Sequence, residues 1–218
     1  MAVPDIFDEV AEDLRAERTH KLLRRYGGVL VMAAVLVVVA AAGYEGWKQY
    51  QGRETTRQAT AFLAAEQLAD GPKSERDAAL PALADLAQNG NAGYRTLARL
   101  REASLKVDDN DLPTALALWD QIAGDRGADP ILRDYANLQW AMHQIDHGDA
   151  ALVSARLLPL SAPGSVWRPL AQEGQALLAL RQGQTESARE ILQHLAADTL
   201  APNGVRNRAA GLLQRLGS

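Results

Sequence analysis

The sequence predicts an all-α protein with a single N-terminal transmembrane helix followed by a solenoid of helix pairs. Three observations lead to this fold class. Nineteen consecutive residues, 26–44, carry no charge. The rest of the chain is dominated by Ala, Leu, Gln, Arg and Glu, which favour helices, and it shows no strand-like alternation. A helix pattern also recurs at intervals of 38 and 35 residues, which is typical of helical repeats.

The uncharged segment has the length and the flanks of a membrane span. A helix over it is about 28 Å long, close to the ~30 Å hydrocarbon core of a bilayer. The basic and aromatic residues that flank such helices in membrane proteins are also present: Arg24, Arg25, Tyr26, Tyr44 and Trp47. We therefore expect a transmembrane helix over 26–47.

Basic residues near the span predict its orientation. Five Lys or Arg residues lie in the twenty positions before the span, against three in a similar stretch after it. By the positive-inside rule, the amphipathic segment 1–25 is then cytoplasmic and the domain 48–218 lies on the outer or periplasmic side. Signal cleavage after Ala42 is the alternative, and it would release a soluble periplasmic binding protein. The six acidic residues before the span argue against cleavage, because signal peptides begin with a short basic region.

Composition excludes several classes of function. From Glu45 onward the chain has 18 Lys and Arg residues against 21 Asp and Glu, so it lacks the basic surface that nucleic-acid binding requires. It has no cysteine, which excludes disulfides and thiolate chemistry.

Helix breakers divide the domain into segments of helical length. Gly71 and Pro72 end the first, and Pro81 kinks or starts the second. Asp129 followed by Pro130 has the form of an N-cap with proline at the first helical position. The short connections predict antiparallel neighbours, and the expected helices are 53–68, 74–88, 91–106, 111–123, 130–147, 149–160, 165–181, 185–197 and 202–216.

Every second helix carries the same pattern, which defines a repeat register. Three segments that begin at Asn110, Gly148 and Gly183 align with one another. Counting from the first residue of each segment, a small residue stands at position +5, a large apolar residue at +9 and another apolar residue at +12. A second small residue stands twelve positions before the +5 residue, in the preceding helix. The +5 residues are Ala115, Val153 and Ala188, and the +9 residues are Trp119, Leu157 and Leu192. The +12 residues are Ile122, Leu160 and Leu195, and the small residues of the preceding helices are Ala103, Ala141 and Ala176.

This spacing resembles the tetratricopeptide repeat, in which helix pairs recur about every 34 residues. The N-terminal layout resembles a more specific family. The segment DIFDEVAEDLRAERTHKLLRRYG leads into the span, and Tyr44, Trp47 and degenerate repeats follow. This is similar to the YfgM-type tetratricopeptide-like proteins, ancillary subunits of the bacterial Sec translocon. The resemblance implies an inner-membrane scaffold whose periplasmic domain links the translocon to periplasmic chaperones; a self-associating solenoid that organises another membrane complex is the alternative.

Known catalytic motifs are missing from the sequence, so we expect no enzymatic activity, no cofactor and no small-molecule substrate. His143 and His147 have the spacing of two zinc ligands, but Gln144 stands where a zinc protease needs glutamate. We expect a solvated helix end there and no metal. Trp119, Trp140 and Trp167 are expected to pack in the core rather than form a ligand cage.

The predicted binding surface is the concave face, which the first helix of each pair lines. In the repeat register this face comprises Leu97, Leu100, Tyr135, Leu138, Met142, Leu170, Leu177 and Arg181. An apolar groove of this kind binds a helix or an unfolded segment of a partner protein. The alternative places both apolar stripes of the helix 131–145 in the core, because a middle helix of a layered stack is buried on two sides.

Overall fold

A computed structural model describes the backbone of residues 6–217 and the side chains of residues 32–33 and 35–217. Within these residues it contains nine α-helices and no strand, which confirms the all-α prediction. The helices are α1 (Ile6–Ala69), α2 (Lys73–Asn89), α3 (Ala92–Asp108), α4 (Leu112–Gly124), α5 (Pro130–Gln144), α6 (Ala150–Leu160), α7 (Arg168–Arg181), α8 (Thr185–Ala197) and α9 (Asn203–Leu216).

The chain divides into two compact units, of which the first ends at Thr56 and the second begins at Arg57. In the first unit, Tyr44 and Trp47 are exposed, as are the large apolar side chains Met32, Val35, Leu36, Val37, Val38 and Val39. No helix offers a stretch long and apolar enough to cross a membrane, judged over the side chains that the structure describes. The side chains of the predicted segment 1–25, and those of 26–31 and 34 in the predicted span, lie outside that described set.

In the second unit each helix from α2 to α9 packs against the next along the chain. In addition, α5 packs against α7, and α7 packs against α9. We call α3, α5, α7 and α9 the inner helices, and α4, α6 and α8 the outer helices. This arrangement is a helix-pair solenoid, in which each repeat contacts its neighbours.

The predicted repeat register is confirmed by burial. All twelve residues that it selects are buried, with at most 3% of any side chain exposed. Their burial divides among neighbouring clusters, one around Trp119, one around Leu157 and one around Leu192. The recurrent alanines therefore lie at helix crossings, where a small side chain allows close approach.

Aspartate and asparagine side chains fix where several helices begin. Asp129 Oδ1 accepts a hydrogen bond from Ile131 N at 2.8 Å, and Asp149 Oδ1 accepts one from Ala151 N at 2.8 Å. Such caps satisfy N–H groups that have no partner within the helix. Proline plays a different part in α2, which begins at Lys73 and retains Pro81 in its interior, so Pro81 does not start that helix.

Polar contacts join each repeat to the next. They connect residues about one repeat apart, as in Arg101 with Asp70 at a separation of 31 and Arg156 with Asp120 at 36. The Arg156 guanidinium also lies 3.9 Å from the ring centroid of Trp140, a cation–π geometry. These contacts tie α3 to the segment before α2, α4 to α6, and α6 to α5, and so link neighbouring repeats.

Candidate functional site

Most of the predicted concave-face residues are half-buried on the inner helices, where a partner can reach part of each side chain. These are Leu97, Leu100, Tyr135, Met142, Leu170 and Leu177. The structure brings Leu100 and Tyr135 to one cavity and places Met142, Leu170 and Leu177 around one core cluster. Leu97 belongs to neither group.

Leu138 is a correction to the predicted surface. Its side chain is 2% exposed and packs in a cluster with Ala141, Leu157 and Leu178. The helix α5 is apolar on two sides, and the side that carries Leu138 faces the neighbouring helices α6 and α7. Leu138 therefore belongs to the core, as the alternative interpretation of this helix expects, and it is not available to a partner.

Arg181 carries a structural contact in addition to its predicted role. Its Nη1 donates to the carbonyl oxygens of Ile145 at 2.6 Å and Gly148 at 2.9 Å. These oxygens belong to the end of α5 and the turn that follows, where carbonyl groups lack helical partners. Its Nη1 therefore stabilises the turn between α5 and α6. Binding of a partner by Arg181 stays a prediction.

A cavity of about 100 Å³ opens between α3, α4 and α5. We call it the inner groove cavity, and its walls are Leu100, Ser104, Val107, Asp108, Trp119, Tyr135, Gln139 and His143. Small-molecule and cofactor sites occupy roughly 300–1,000 Å³, so this cavity is too small for a cofactor. It is smaller than the ~150 Å³ cavity that holds benzene, so its size suits a small aliphatic side chain rather than an aromatic ring.

Aromatic contacts hold the walls of the inner groove cavity in place. The rings of Trp119 and His143 lie 4.7 Å apart between centroids. His143 Nδ1 donates to the carbonyl oxygen of Gln139 at 2.9 Å, which fixes the ring. On the other side, Tyr135 packs against Trp167 at 5.0 Å between centroids, and Trp167 Nε1 donates to Ile131 O at 3.1 Å. The cavity is therefore bounded by side chains with fixed positions.

Sequence reasoning missed five of the residues that line this cavity, although a periodic signal was present. Ser104 and Asp108 follow Leu100 at intervals of four, and Gln139 and His143 follow Tyr135 in the same way. Residues at this spacing share one helix face, so two facing stripes define the cavity. The missed residues are Ser104, Val107, Asp108, Gln139 and His143; Trp119, predicted to pack in the core, is buried and also forms part of the wall.

Comparison with known proteins agrees with this architecture. A family model described as a tetratricopeptide repeat-like domain matches residues 20–214. Neither the curated proteins nor the solved structures include a significant match. Because the match covers most of the chain, and the buried positions recur in the repeat register, the protein belongs to the family of tetratricopeptide repeat-like domains.

Proposed function

We propose that this protein is a membrane-anchored scaffold of the bacterial envelope that binds a segment of a partner protein in its inner groove. Repeat domains of this family are generally non-enzymatic protein-interaction scaffolds. The observation that carries the proposal is the inner groove cavity, whose wall is formed mainly by the inner helices α3 and α5, with Trp119 of the outer helix α4, on the surface where solenoids bind their partners.

The chemistry of the cavity favours a peptide that inserts one apolar side chain. Leu100, Val107 and Trp119 supply apolar surface, which stabilises a buried aliphatic group. Ser104 and Gln139 supply hydroxyl and amide groups that can hydrogen-bond a peptide backbone. A pocket that receives one side chain from a bound segment is the usual anchor of helix-in-groove recognition.

A substitution that fills the cavity tests this function. Leucine at Ser104 replaces the hydroxyl in the cavity wall with three carbon atoms beyond Cβ, which fill part of the cavity. We expect Ser104→Leu to lose the proteins that co-purify with the full chain in mild detergent, while its melting temperature is unchanged or higher. The matched control is Ser154→Leu on the exposed face of α6, which should retain them. Full co-purification with Ser104→Leu would exclude the inner groove as the binding site.

The anchor and the partners are the finer part of this proposal. The uncharged residues 26–44 support the anchor, together with the exposed apolar side chains between Met32 and Val39. The YfgM-like N-terminal layout supports the Sec translocon and periplasmic chaperones as partners. Crosslinking in native membranes tests this assignment: products with translocon subunits are expected, whereas products containing this chain alone would favour a self-associating solenoid.

A further inference from the structure

Arginine occupies the same register position in three successive inner helices. Arg95, Arg133 and Arg168 each lie eight positions before the buried alanine of their repeat. We call these three residues the arginine row. None of them lines the inner groove cavity, so the row is a separate feature of the solenoid.

The first member of the row shows what this position does when a carboxylate is present. Arg95 Nε lies 3.7 Å from Asp125 Oδ2, and Arg99 Nη1 lies 3.5 Å from the same oxygen. Asp125 is thirty positions after Arg95. Its other oxygen accepts a hydrogen bond from Gly127 N at 2.9 Å, which holds the carboxylate in the turn before α5.

The second member lacks this carboxylate. Thirty positions after Arg133 the chain has Pro163, which carries no charge. The Arg133 Nε is shielded from solvent without a hydrogen-bond partner. Within the part of the chain that the structure describes, Arg76 and Arg101 also have such an Nε, but each has a carboxylate within ion-pair distance; Arg133 has none.

Arg168, the third member of the row, has a carboxylate at the equivalent position in sequence but no ion pair with it in the described structure. Asp198 is thirty positions after Arg168, and it accepts a hydrogen bond from Leu200 N at 2.9 Å, the same turn that Asp125 makes. Arg168 and Asp198 both line an open cleft of about 640 Å³ between α7 and α8, without an ion pair between them in the described structure. The Arg168 Nε is likewise shielded and unpartnered.

The Arg133 guanidinium has no carboxylate partner in the described structure, and a carboxylate is the group that matches it best. We propose that the terminal Nη atoms of Arg133, rather than its shielded Nε, bind a carboxylate of an acidic partner segment at the register position where Asp125 serves Arg95, with Arg168 as the second contact. The helices α5 and α7 pack together, so their axes lie about 8–10 Å apart. Two acidic residues three positions apart on an extended segment span about the same distance. The proposed function does not involve these residues.

Binding of a defined acidic probe to the full chain in mild detergent tests this site. The probe is a fluorescent peptide in which glutamate occupies every third position among serines, and the comparison peptide has glutamine in place of each glutamate. We expect Arg133→Gln to weaken binding of the acidic peptide about tenfold, the scale of one lost charge-assisted contact. The exposed Arg126 has no ion pair in the described structure, so Arg126→Gln is a control with the same change in charge and should leave affinity nearly unchanged.

A second pair of variants restores the missing carboxylate within the chain. Pro163→Asp places a carboxylate thirty positions after Arg133 and should compete with the peptide, whereas Pro163→Asn alters the same turn without charge. Loss of binding with Arg133→Gln and Pro163→Asp, but not with the two controls, supports the site. Equal loss with Arg126→Gln, equal binding of the glutamine peptide, or no binding to the unaltered chain would overturn it. Ser104→Leu should leave this binding unchanged, so the groove and the arginine row are tested independently.

Discussion

At the scale of a single residue, a buried carboxylate holds the last helix of the solenoid. Glu173 on α7 is 4% exposed. The Arg208 guanidinium on α9 donates to both its carboxylate oxygens, at 2.6 Å each. This bidentate contact raises the pKa of Arg208 above its ordinary value. Without Arg208 the carboxylate of Glu173 would remain buried and unpaired, which is costly.

We therefore predict that Arg208→Ala lowers the free energy of unfolding by about 2–3 kcal/mol, less than for a fully buried pair because the arginine is half exposed. Urea denaturation followed by circular dichroism measures this change. The control is Arg206→Ala, which removes an exposed contact with Asn203 and should cost less than about 1 kcal/mol. Equal losses in the two variants would mean that the Glu173 contact does not hold α9.

A second residue-scale prediction concerns acid. Hydrogen bonding to Thr114 holds the pKa of Asp111, the N-cap of α4, below its ordinary value. Because the folded state then binds this proton less readily than the unfolded state, its stabilising contribution is full above the unfolded pKa of about 3.9. It is lost as pH falls through the lower, folded pKa. Asparagine retains a cap but does not titrate in this range.

The measurement is the unfolding free energy of the unaltered chain and of Asp111→Asn across pH 2 to 7. If the unaltered chain has a larger free energy of unfolding than Asp111→Asn at neutral pH, this difference should become smaller as the pH is lowered toward 2. A difference between the two proteins that stays constant through acid would show that the Asp111 carboxylate does not contribute in this way.

At the scale of the helix, the distance between two crossing helices is set by the small residues, glycine and alanine, at the point where they cross. A Cβ atom on Gly174 would lie 2.9 Å from Met142 Sδ and 3.1 Å from Leu157 Cδ1. The buried alanines of the repeat register, Ala141 and Ala176, occupy comparable crossings and have no exposed surface. Methylene groups added there must displace a neighbouring helix.

We predict that Ala141→Leu and Ala176→Leu each lower stability by about 1–3 kcal/mol through overpacking. Thermal unfolding measures the effect. Ala155 is exposed on α6, so Ala155→Leu adds the same atoms without a crossing and serves as the control. Unchanged melting temperatures in both buried variants would contradict the packing described for these crossings.

Most helix boundaries and the repeat register could be predicted from sequence because both depend on local signals; the expected helix 130–147 instead ends at Gln144, and the expected helix 165–181 begins at Arg168. Breakers and caps such as Asp129 with Pro130 mark the ends, and the recurring small residues mark the crossings. The depth of Leu138 could not be predicted in this way. Tyr135 and Leu138 lie on the same apolar stripe of α5, yet Tyr135 is half-buried and Leu138 is buried. How deeply each side chain is covered depends on how closely α6 and α7 approach. That distance is set by residues such as Gly174, which has no side chain and is far from Leu138 in sequence.

At the scale of the whole molecule, the proposed anchor predicts a topology. The segment 1–25 should lie in the cytoplasm and 48–218 in the periplasm, because positive charge accumulates before the uncharged segment. The unaltered chain has no cysteine. A Ser218→Cys variant should therefore react with a membrane-impermeant thiol reagent in intact spheroplasts.

The control for this experiment is Ala2→Cys, which should react only after lysis. Labelling of Ser218→Cys only after lysis would reverse the proposed orientation. Recovery of the domain in the soluble periplasmic fraction, with a mass that begins after Ala42, would instead favour the cleaved form.

The spacing of the contacts between repeats has a consequence for how the chain folds. Side-chain bonds that join neighbouring repeats connect residues only 31 to 36 positions apart, as in Arg101 with Asp70 and Arg181 with Ile145. Such a low contact order favours fast folding, because only short loops must close before a contact forms. Each helix pair can therefore dock on the preceding one as soon as it leaves the ribosome, before the remainder of the chain has been made.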